Sequence, residues 1–389
     1  MRCCEACFDD AFLKEYIRQH GRLGTCQYCR ARRKFVIEAS ELQPLFTRFI
    51  RLYQPADPGI NIPIDADVLR MGEPLATLIQ DQWEIFSEKL LLREEEHDLL
   101  EEILTAGLRE EEVLDAPAVR DLWTDHDYMH NSLLDQWHEL ADELKNPEHH
   151  RPVAPNLEPT EDDIATAVDT LQWFEEDVGR ASITLPVGSR IFRARLGYRE
   201  REWQTVPFPA EEMGAPPPEI IDKPGRANAA GVAYFYGAQD EATAIAEKRP
   251  ATGSLVSIAT CITLRELRLL DLPKGMRLSS PFESGEDYLP SLLESCELFN
   301  YLDTEFSRPL RHTDDVRDYL PTQFFTEWTK DHRYDGILYT SAMSQGGINV
   351  VLFDPAAVRV DSVRLVRVDA VEISYHQYTA MTIKAPLCS

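Results

Sequence analysis

Residues 336–353 read GILYTSAMSQGGINVVLF. They contain two short runs rich in β-branched and large apolar residues, 336–340 and 348–353, on either side of a segment that includes Gly346 and Gly347. Runs of this length that are bounded by turn residues are typical of β-strands. We therefore predict two strands joined by a turn, with Ser341 at the end of the first strand.

Similar runs occur upstream, at residues 191–192, 232–236, 255–263 and 267–272, with few helical segments between them. Two loops, residues 207–218 and 223–231, are dense in Pro and Gly. Loops held on a rigid scaffold often carry functional residues. This pattern predicts an α+β fold class for the carboxy-terminal part of the chain.

Several of these segments resemble the RES family in order and spacing. The matching residues are Phe192-Arg193-Ala194-Arg195, Met213-Gly214-Ala215-Pro216-Pro217, Gly225-Arg226-Ala227-Asn228, Tyr236 through Glu247, Tyr334 through Ser341, and Gly347-Ile348-Asn349. The amino-terminal half resembles the HEPN-like extension that precedes some RES domains. The resemblance implies an ADP-ribosyltransferase-like mixed α+β domain that acts as a toxin, destroying NAD by phosphorolysis or hydrolysis of its nicotinamide–ribose bond.

The resemblance assigns catalysis to Arg226, Glu247 and Ser341, and NAD binding to Arg193, Arg226, Tyr236 and Ser341. Arginine forks suit the anionic pyrophosphate of NAD, and Arg193 is expected to close a strand while Arg226 lies in a Gly-flanked loop. A carboxylate suits the positive charge that develops on the ribose as nicotinamide leaves. Glu247 is expected to supply it, from the end of a short helix that begins at Asp240.

Each of these side chains also has a purely structural interpretation. The two arginines suit surface ion pairs, and Glu247 suits an exposed helix end. Tyr236 fits either core packing or a contact with nicotinamide or ribose. Ser341 has no adjacent histidine, so a hydrogen bond to ribose or phosphate is favoured over nucleophilic attack, and the alternative is an ordinary turn residue.

Neither a Gly-x-Gly-x-x-Gly nor a P-loop motif occurs in the chain, so NAD is expected to be a substrate rather than a recycled cofactor. Lys248 and Arg249, next to Glu247, motivate inorganic phosphate as the acceptor. Water is the alternative acceptor. A protein ADP-ribosyltransferase and a non-enzymatic zinc and helical interaction module stay open as further alternatives.

The amino terminus carries a cluster of cysteines, with five of the eight within the first 29 residues. Cys4-x-x-Cys7 and Cys26-x-x-Cys29 have the spacing of a structural zinc site, in which four thiolates close a tetrahedral shell. We predict a zinc-binding module over residues 1–34, with metal-free thiols as the alternative. Cys3 is either a spare thiol or a substitute for Cys4.

Residues 35–145 are predicted to be all-helical. Ser40-x-x-Gln43 has the form of a capping box, and apolar residues at helical spacing follow it and recur over 75–90 and 133–144. Residues 146–160 contain four prolines and are predicted to be a linker. Residues 161–389 are then the catalytic domain.

The formal net charge of −27 disfavours binding to the phosphate backbone of nucleic acids. The sequence has no apolar run near the ~18 residues of a membrane helix and no signal-peptide pattern, so we expect a cytoplasmic protein without membrane contact. The RES resemblance implies either a regulatory or antitoxin partner or restraint of the activity by the chain's own amino-terminal half. The helical region is a candidate surface for homodimerisation.

Overall fold

The computed structural model describes residues 1–55, 73–106, 122–125, 133–145, 171, 174–285, 288–309 and 315–372. The linker predicted over residues 146–160 lies outside these ranges. The chain forms two compact units. Unit 1 comprises Met1–Ile183 and Leu270–Glu327, and unit 2 comprises Thr184–Leu269 and Trp328–Ser389.

Unit 1 begins with a small antiparallel sheet and one helix. Its elements are β1 (Arg2–Cys4), α1 (Ala11–His20), β2 (Arg22–Thr25) and β3 (Arg32–Glu38), with the sheet order β1-β3-β2. Helix α1 lies between the two CxxC pairs. The side chain of Asp10 caps it by accepting from the amide of Leu13 at 2.8 Å, and its apolar side, with Leu13 and Ile17, is buried.

The middle of the chain is mainly but not entirely helical. Its helices are α2 (Gln43–Ile50), α3 (Leu75–Trp83), α4 (Glu88–Leu91), α5 (Glu96–Leu104), α6 (Leu133–Lys145) and α7 (Glu175–Arg180). Three short strands, β4 (Tyr53–Pro55), β5 (Glu73–Pro74) and β6 (Leu122–Asp125), form a sheet of order β4-β6-β5. The prediction of an all-helical region was therefore wrong, because segments of two to four residues are too short to show a strand period.

The predicted start of the first helix in this region also needs correction. A capping box exists there, but it is formed by Glu38 and Glu41, two residues before Ser40-x-x-Gln43, and it opens a short 3-10 turn that leads into α2. Carboxylates accept from free amide groups at a helix start just as hydroxyls do, so the sequence offered two competing caps.

An eight-stranded sheet dominates the second half of the chain. The elements there are β7 (Ser182–Leu185), β8 (Arg190–Leu196), β9 (Arg199–Arg201), β10 (Gln204–Val206), β11 (Phe235–Ala238), α8 (Glu241–Ala246), β12 (Leu255–Thr263), β13 (Leu267–Asp271), β14 (Gly336–Thr340), β15 (Ile348–Leu352) and β16 (Val358–Arg367). The sheet order is β16-β12-β8-β11-β15-β14-β13-β7, while β9 and β10 form a separate hairpin. The α+β class and the two strands around Ser341 are confirmed.

Residues Leu270–Glu327 interrupt the sheet strands in sequence and carry α9 (Leu272–Gly275), α10 (Leu289–Ser307) and α11 (Leu320–Asp331). The sequence analysis assigned them to the catalytic domain, but they group with unit 1. Phe282, Leu289 and Leu293 belong to the apolar core of that unit, and the ring of Phe282 lies 4.9 Å from that of Phe46. Such long-range packing leaves no local signal in a sequence.

None of the helices in the described ranges has the length and apolar character required to cross a membrane.

We predict that Phe46→Ala destabilises unit 1. Phe46 is fully buried between Phe8 and Phe282, so its removal leaves a cavity that costs about 3–5 kcal/mol. The measurement is the free energy of unfolding from denaturant titration. Leu23→Ala is the control, because Leu23 is 70% exposed and should change this energy by less than about 0.5 kcal/mol. Equal effects would contradict the described core.

Candidate active site

Helix α8 fixes the position of Glu247. The helix begins at Asp240, whose carboxylate accepts from the Thr243 amide at 2.8 Å and from the Thr243 hydroxyl at 2.6 Å. It ends at Glu247, as the sequence predicted. The helix is anchored to the sheet through Ala244, which packs in one cluster with Ala194, Ala238, Val256 and Ile258. The carboxylate therefore projects from a helix that is held at both its start and its apolar side.

The carboxylate of Glu247 accepts two hydrogen bonds on the same oxygen. The hydroxyl of Ser341 donates to Oε1 at 2.6 Å, and the side-chain amide of Asn349 donates to Oε1 at 2.7 Å. Asn349 is 4% exposed. We call Glu247, Ser341 and Asn349 the carboxylate cluster. It joins the end of α8 to the end of β14 and the start of β15.

The turn between β14 and β15 presents Ser341 to Glu247. The Ser341 amide donates to the carbonyl of Gly347 at 2.9 Å, and the Ser341 hydroxyl accepts from the Met343 amide at 3.1 Å. Gly347 lies so close to α8 that a β-carbon there would overlap the hydroxyl of Thr243. A glycine at this position therefore lets the turn approach the helix closely enough for the carboxylate cluster to form.

Tyr236 is the centre of a second polar group, which we call the tyrosine cluster (Tyr236, Asn228 and Arg226). The phenol of Tyr236 donates to Asn228 Oδ1 at 2.5 Å, and the Asn228 amide donates to the Val232 carbonyl at 3.0 Å. The amide of Gly225 donates to the Asn228 carbonyl at 2.8 Å and so closes the loop. Arg226 is buried within this loop, and burial raises the pKa of Tyr236.

Arg193 lies in the middle of β8 rather than at its end, which corrects the sequence expectation. Its neighbours Phe192 and Ala194 belong to the apolar cluster that contains Ala244 of α8. Strand alternation therefore puts Arg193 on the other face of the sheet. Its Nη1 donates to the Tyr236 carbonyl at 2.5 Å, and its guanidinium lies 5.5 Å from the Phe235 ring centre. Burial lowers the pKa of Arg193.

The tyrosine cluster and the carboxylate cluster share one face of the sheet. In the β11–β15 pair, Tyr236 is opposite Val351 and Ala238 is opposite Asn349. Tyr236 and Asn349 are therefore diagonal neighbours on the same face, at a separation of about 7–8 Å for such positions. The structure thus brings Glu247, Ser341 and the phenol of Tyr236 to one side of the sheet, while Arg193 supports Tyr236 through its backbone.

Lys248 adds a positive charge next to this face. Desolvation lowers the pKa of Lys248, the nearby charge of Arg193 lowers it further, and the carboxylate of Glu247 opposes both effects. Lys248 therefore lies close enough to Glu247 for their charges to interact, and an anion that approached Glu247 would meet this cation.

Sequence reasoning missed Asn228 and Asn349 as site residues, although both lie in the segments that it quoted. Asn349 carried a usable signal, since it is one polar residue in the otherwise apolar strand β15. A buried amide must find hydrogen-bond partners, and strand alternation already placed it on the face opposite Ile348. Asn228 gave no comparable signal, because asparagine is common in Gly- and Pro-rich loops.

The four cysteines of the two CxxC pairs converge in unit 1. Their sulfur atoms all lie within 4.8 Å of one another, and all four residues are buried. The Sγ–Sγ distances are 3.9 Å for Cys4–Cys7, 3.5 Å for Cys4–Cys29 and 3.4 Å for Cys7–Cys26. A tetrahedral zinc ion about 2.3 Å from each sulfur separates sulfurs by about 3.8 Å, so this donor set fits the ion.

Cys3 is buried but stands apart from this set of four. It follows Arg2 on β1 and precedes Cys4, so strand alternation directs the Cys3 and Cys4 side chains to opposite faces. Hydrogen bonds with Cys4 and Cys7 lower the pKa of the Cys26 thiol, whereas burial raises the pKa of Cys3. The geometry therefore favours Cys4 over Cys3 as the ligand.

Comparisons with known proteins give one family match. The family model described as the RES domain matches residues 190–375, a range that contains both polar clusters and Arg193. The chain is also similar to a chain in the crystal structure of the M. tuberculosis MbcT–MbcA toxin–antitoxin complex, with 12% identity and a TM-score of 0.28 over 50% of this chain and 93% of that one. No curated protein matches the chain.

We predict that Gly347→Ala disrupts the carboxylate cluster. The added methyl group would overlap the Thr243 hydroxyl, so the turn or α8 must shift, at a cost of about 1–3 kcal/mol. Gly214→Ala is the matched control, because a β-carbon at Gly214 meets no atom within 4 Å. Thermal unfolding of both variants measures the difference, and equal melting temperatures would contradict the close approach of turn and helix.

Proposed function

We propose that this protein is an NAD-degrading enzyme that cleaves the nicotinamide–ribose bond, since residues 190–375 of the chain are a RES domain. The observation that carries the proposal is the carboxylate cluster, in which an oriented carboxylate stands on the same sheet face as a buried tyrosine and near the charge of Lys248. The RES family supplies the substrate class. The geometry supports the role that we propose for each side chain.

Glu247 is the proposed electrostatic catalyst. As nicotinamide leaves, positive charge develops on the ribose, and a fixed carboxylate beside that ring stabilises the transition state more than the ground state. Oε1 is already engaged by Ser341 and Asn349. Because its donors are in place before the substrate binds, the carboxylate does not need to reorganise during the reaction.

Arg226 is the proposed contact for the pyrophosphate of NAD. Its guanidinium sits in the buried loop that Asn228 and Gly225 close, and that loop contacts the phenol of Tyr236. A guanidinium in a desolvated loop binds phosphate oxygens in bidentate geometry more strongly than an exposed one does. We propose that Arg193 also contributes, by holding the strand that carries Tyr236.

We propose inorganic phosphate as the acceptor of the ADP-ribosyl group, in preference to water. Lys248 lies close enough to Arg193 and Glu247 for their charges to affect its pKa. Lys248 beside this carboxylate can bring a phosphate dianion towards the ribose carbon in spite of the negative charge of Glu247. The nucleophilic phosphate oxygen would form the new bond as nicotinamide departs with the bonding electron pair.

We predict that Glu247→Gln strongly slows NAD consumption while NAD still binds. Glutamine keeps an oxygen that can accept from Ser341 and Asn349 but has no negative charge, so kcat should fall by about 10²–10³-fold with little change in affinity. The measurement is NAD turnover with phosphate present, with products resolved by phosphorus NMR. ADP-ribose 1''-phosphate indicates phosphorolysis and plain ADP-ribose indicates hydrolysis.

Glu241→Gln is the matched control for this assay. Glu241 lies on the same helix but pairs with Arg364, so the same substitution there should leave turnover unchanged. A wild-type protein that leaves NAD intact would overturn the proposed function. Turnover by Glu247→Gln at the wild-type rate would overturn the role of this carboxylate.

We also propose that Cys4, Cys7, Cys26 and Cys29 hold a structural zinc ion, on the strength of the fit between the sulfur positions and a tetrahedral ion. Four thiolates leave no open coordination position, so bound zinc would stabilise the fold of residues 1–34 and supply no catalytic chemistry. The four cysteines come from β1, the turn before α1 and the turn before β3, so the ion would tie these elements together.

We predict that Cys26→Ser lowers zinc content from about one ion per chain to near zero and lowers the melting temperature, because a structural site needs all four thiolates. Metal analysis of the purified protein gives the zinc content. Cys3→Ala is the control and should keep the zinc, since Cys3 is outside the set of four. Zinc that stays bound to Cys26→Ser would contradict this site.

A further inference from the structure

The two oxygens of the Glu247 carboxylate have different surroundings. Oε1 accepts from both Ser341 and Asn349, at 2.6 and 2.7 Å. Within the part of the chain that the structure describes, no donor contacts Oε2. A carboxylate can accept on both oxygens, so this one-sided arrangement leaves a single oxygen for another molecule.

We infer that Asn349 is a positioning residue which, together with Ser341, holds Oε1 of Glu247 so that Oε2 alone meets the ribose of the substrate. This inference rests on the proposed function. It gives Asn349 a role that the sequence analysis did not assign. It also changes the role of Ser341 from a contact with substrate to a contact with the catalytic carboxylate.

The protein environment fixes the direction of both donors. The Ser341 oxygen accepts from the Met343 amide, and its one proton is directed to Glu247. That proton is therefore not available for a bond to a ribose hydroxyl. Asn349 must donate through its amide nitrogen, because an ionised carboxylate has only acceptors. Two charge-assisted bonds to one oxygen restrict rotation of the carboxylate.

A neutral amide suits this position better than a charged donor. A lysine or arginine there would neutralise the carboxylate that has to face the developing cation. An asparagine in the interior of β15, 4% exposed and flanked by Ile348 and Val350, is rigidly placed and adds no charge. Site residues carried on strands hold their geometry more closely than residues on loops.

Steady-state kinetics of Asn349→Ala with NAD test the inference. We expect kcat to fall by about 10–100-fold while KM for NAD changes by less than about threefold, because the substrate keeps its own contacts. Ile348→Val, on the opposite face of the same strand, should retain wild-type kinetics. A rise in KM at unchanged kcat would show that Asn349 contacts the substrate, and unchanged kinetics would show that it has no role; either result overturns the inference.

The pH dependence of Asn349→Asp separates positioning from a merely structural role. This isosteric change puts a second carboxyl group against Glu247, and two adjoining carboxyl groups share a proton up to higher pH. The charged side chain that interacts with Glu247 is Lys248, and it is unchanged in this variant. We expect the acidic limb of the kcat/KM profile to move upward by about one pH unit or more. An unmoved limb contradicts the inference.

A measurement without substrate separates failure of this inference from failure of the proposed function. Asn349→Ala should lower the melting temperature more in the wild-type background than in the Glu247→Ala background. Only the wild-type background contains the hydrogen bond between Glu247 and Asn349 that the substitution removes. An equal decrease in both backgrounds would show that the bond is absent. A wild-type protein that does not consume NAD but shows this difference would overturn the proposed function while keeping the positioning of Glu247 by Asn349.

Discussion

The two hydrogen bonds that Oε1 of Glu247 accepts are the interaction on which the rest of this site depends. Glu247 comes from the end of α8, Ser341 from the turn after β14 and Asn349 from β15. The two hydrogen bonds can therefore form only when helix, turn and sheet are all in place. The cap at Asp240 sets the helix start, and Gly347 allows the turn to approach. The Asp240 cap and the Gly347 turn, which have no proposed catalytic role, thus determine where Oε1 of Glu247 lies.

Much of this arrangement was predictable from the sequence, because its elements have local causes. The strands around Ser341, the helix from Asp240 to Glu247 and the proximity of the four cysteines follow from apolar runs, a capping side chain and CxxC spacing. The bond between Glu247 and Asn349 was not predictable, since it depends on which strand lies beside β11. That register is a property of the whole sheet.

The same distinction explains the errors in the fold prediction. Residues 270–327 join unit 1 through contacts such as Phe46 with Phe282, which no local pattern encodes. The short strands β4, β5 and β6 pair only because distant segments meet. Arg193 was expected at a strand end within a cleft, and its place inside β8 became evident only when Phe192 and Ala194 were seen to face α8. Period-two alternation identifies two faces, but it does not say which one the helix covers.

The charge of the chain and the charge of the site act at different distances. A net charge of −27 repels polyanions over the whole surface, but salt screens that field beyond about 8–10 Å. Lys248 interacts with Glu247 at short range, within the distance that salt screens weakly. A small anion that reaches this face therefore responds to the nearby lysine more than to the distant acidic surface. An extended polyanion would meet that surface first, so the net charge disfavours nucleic acid more than it disfavours the proposed dinucleotide substrate.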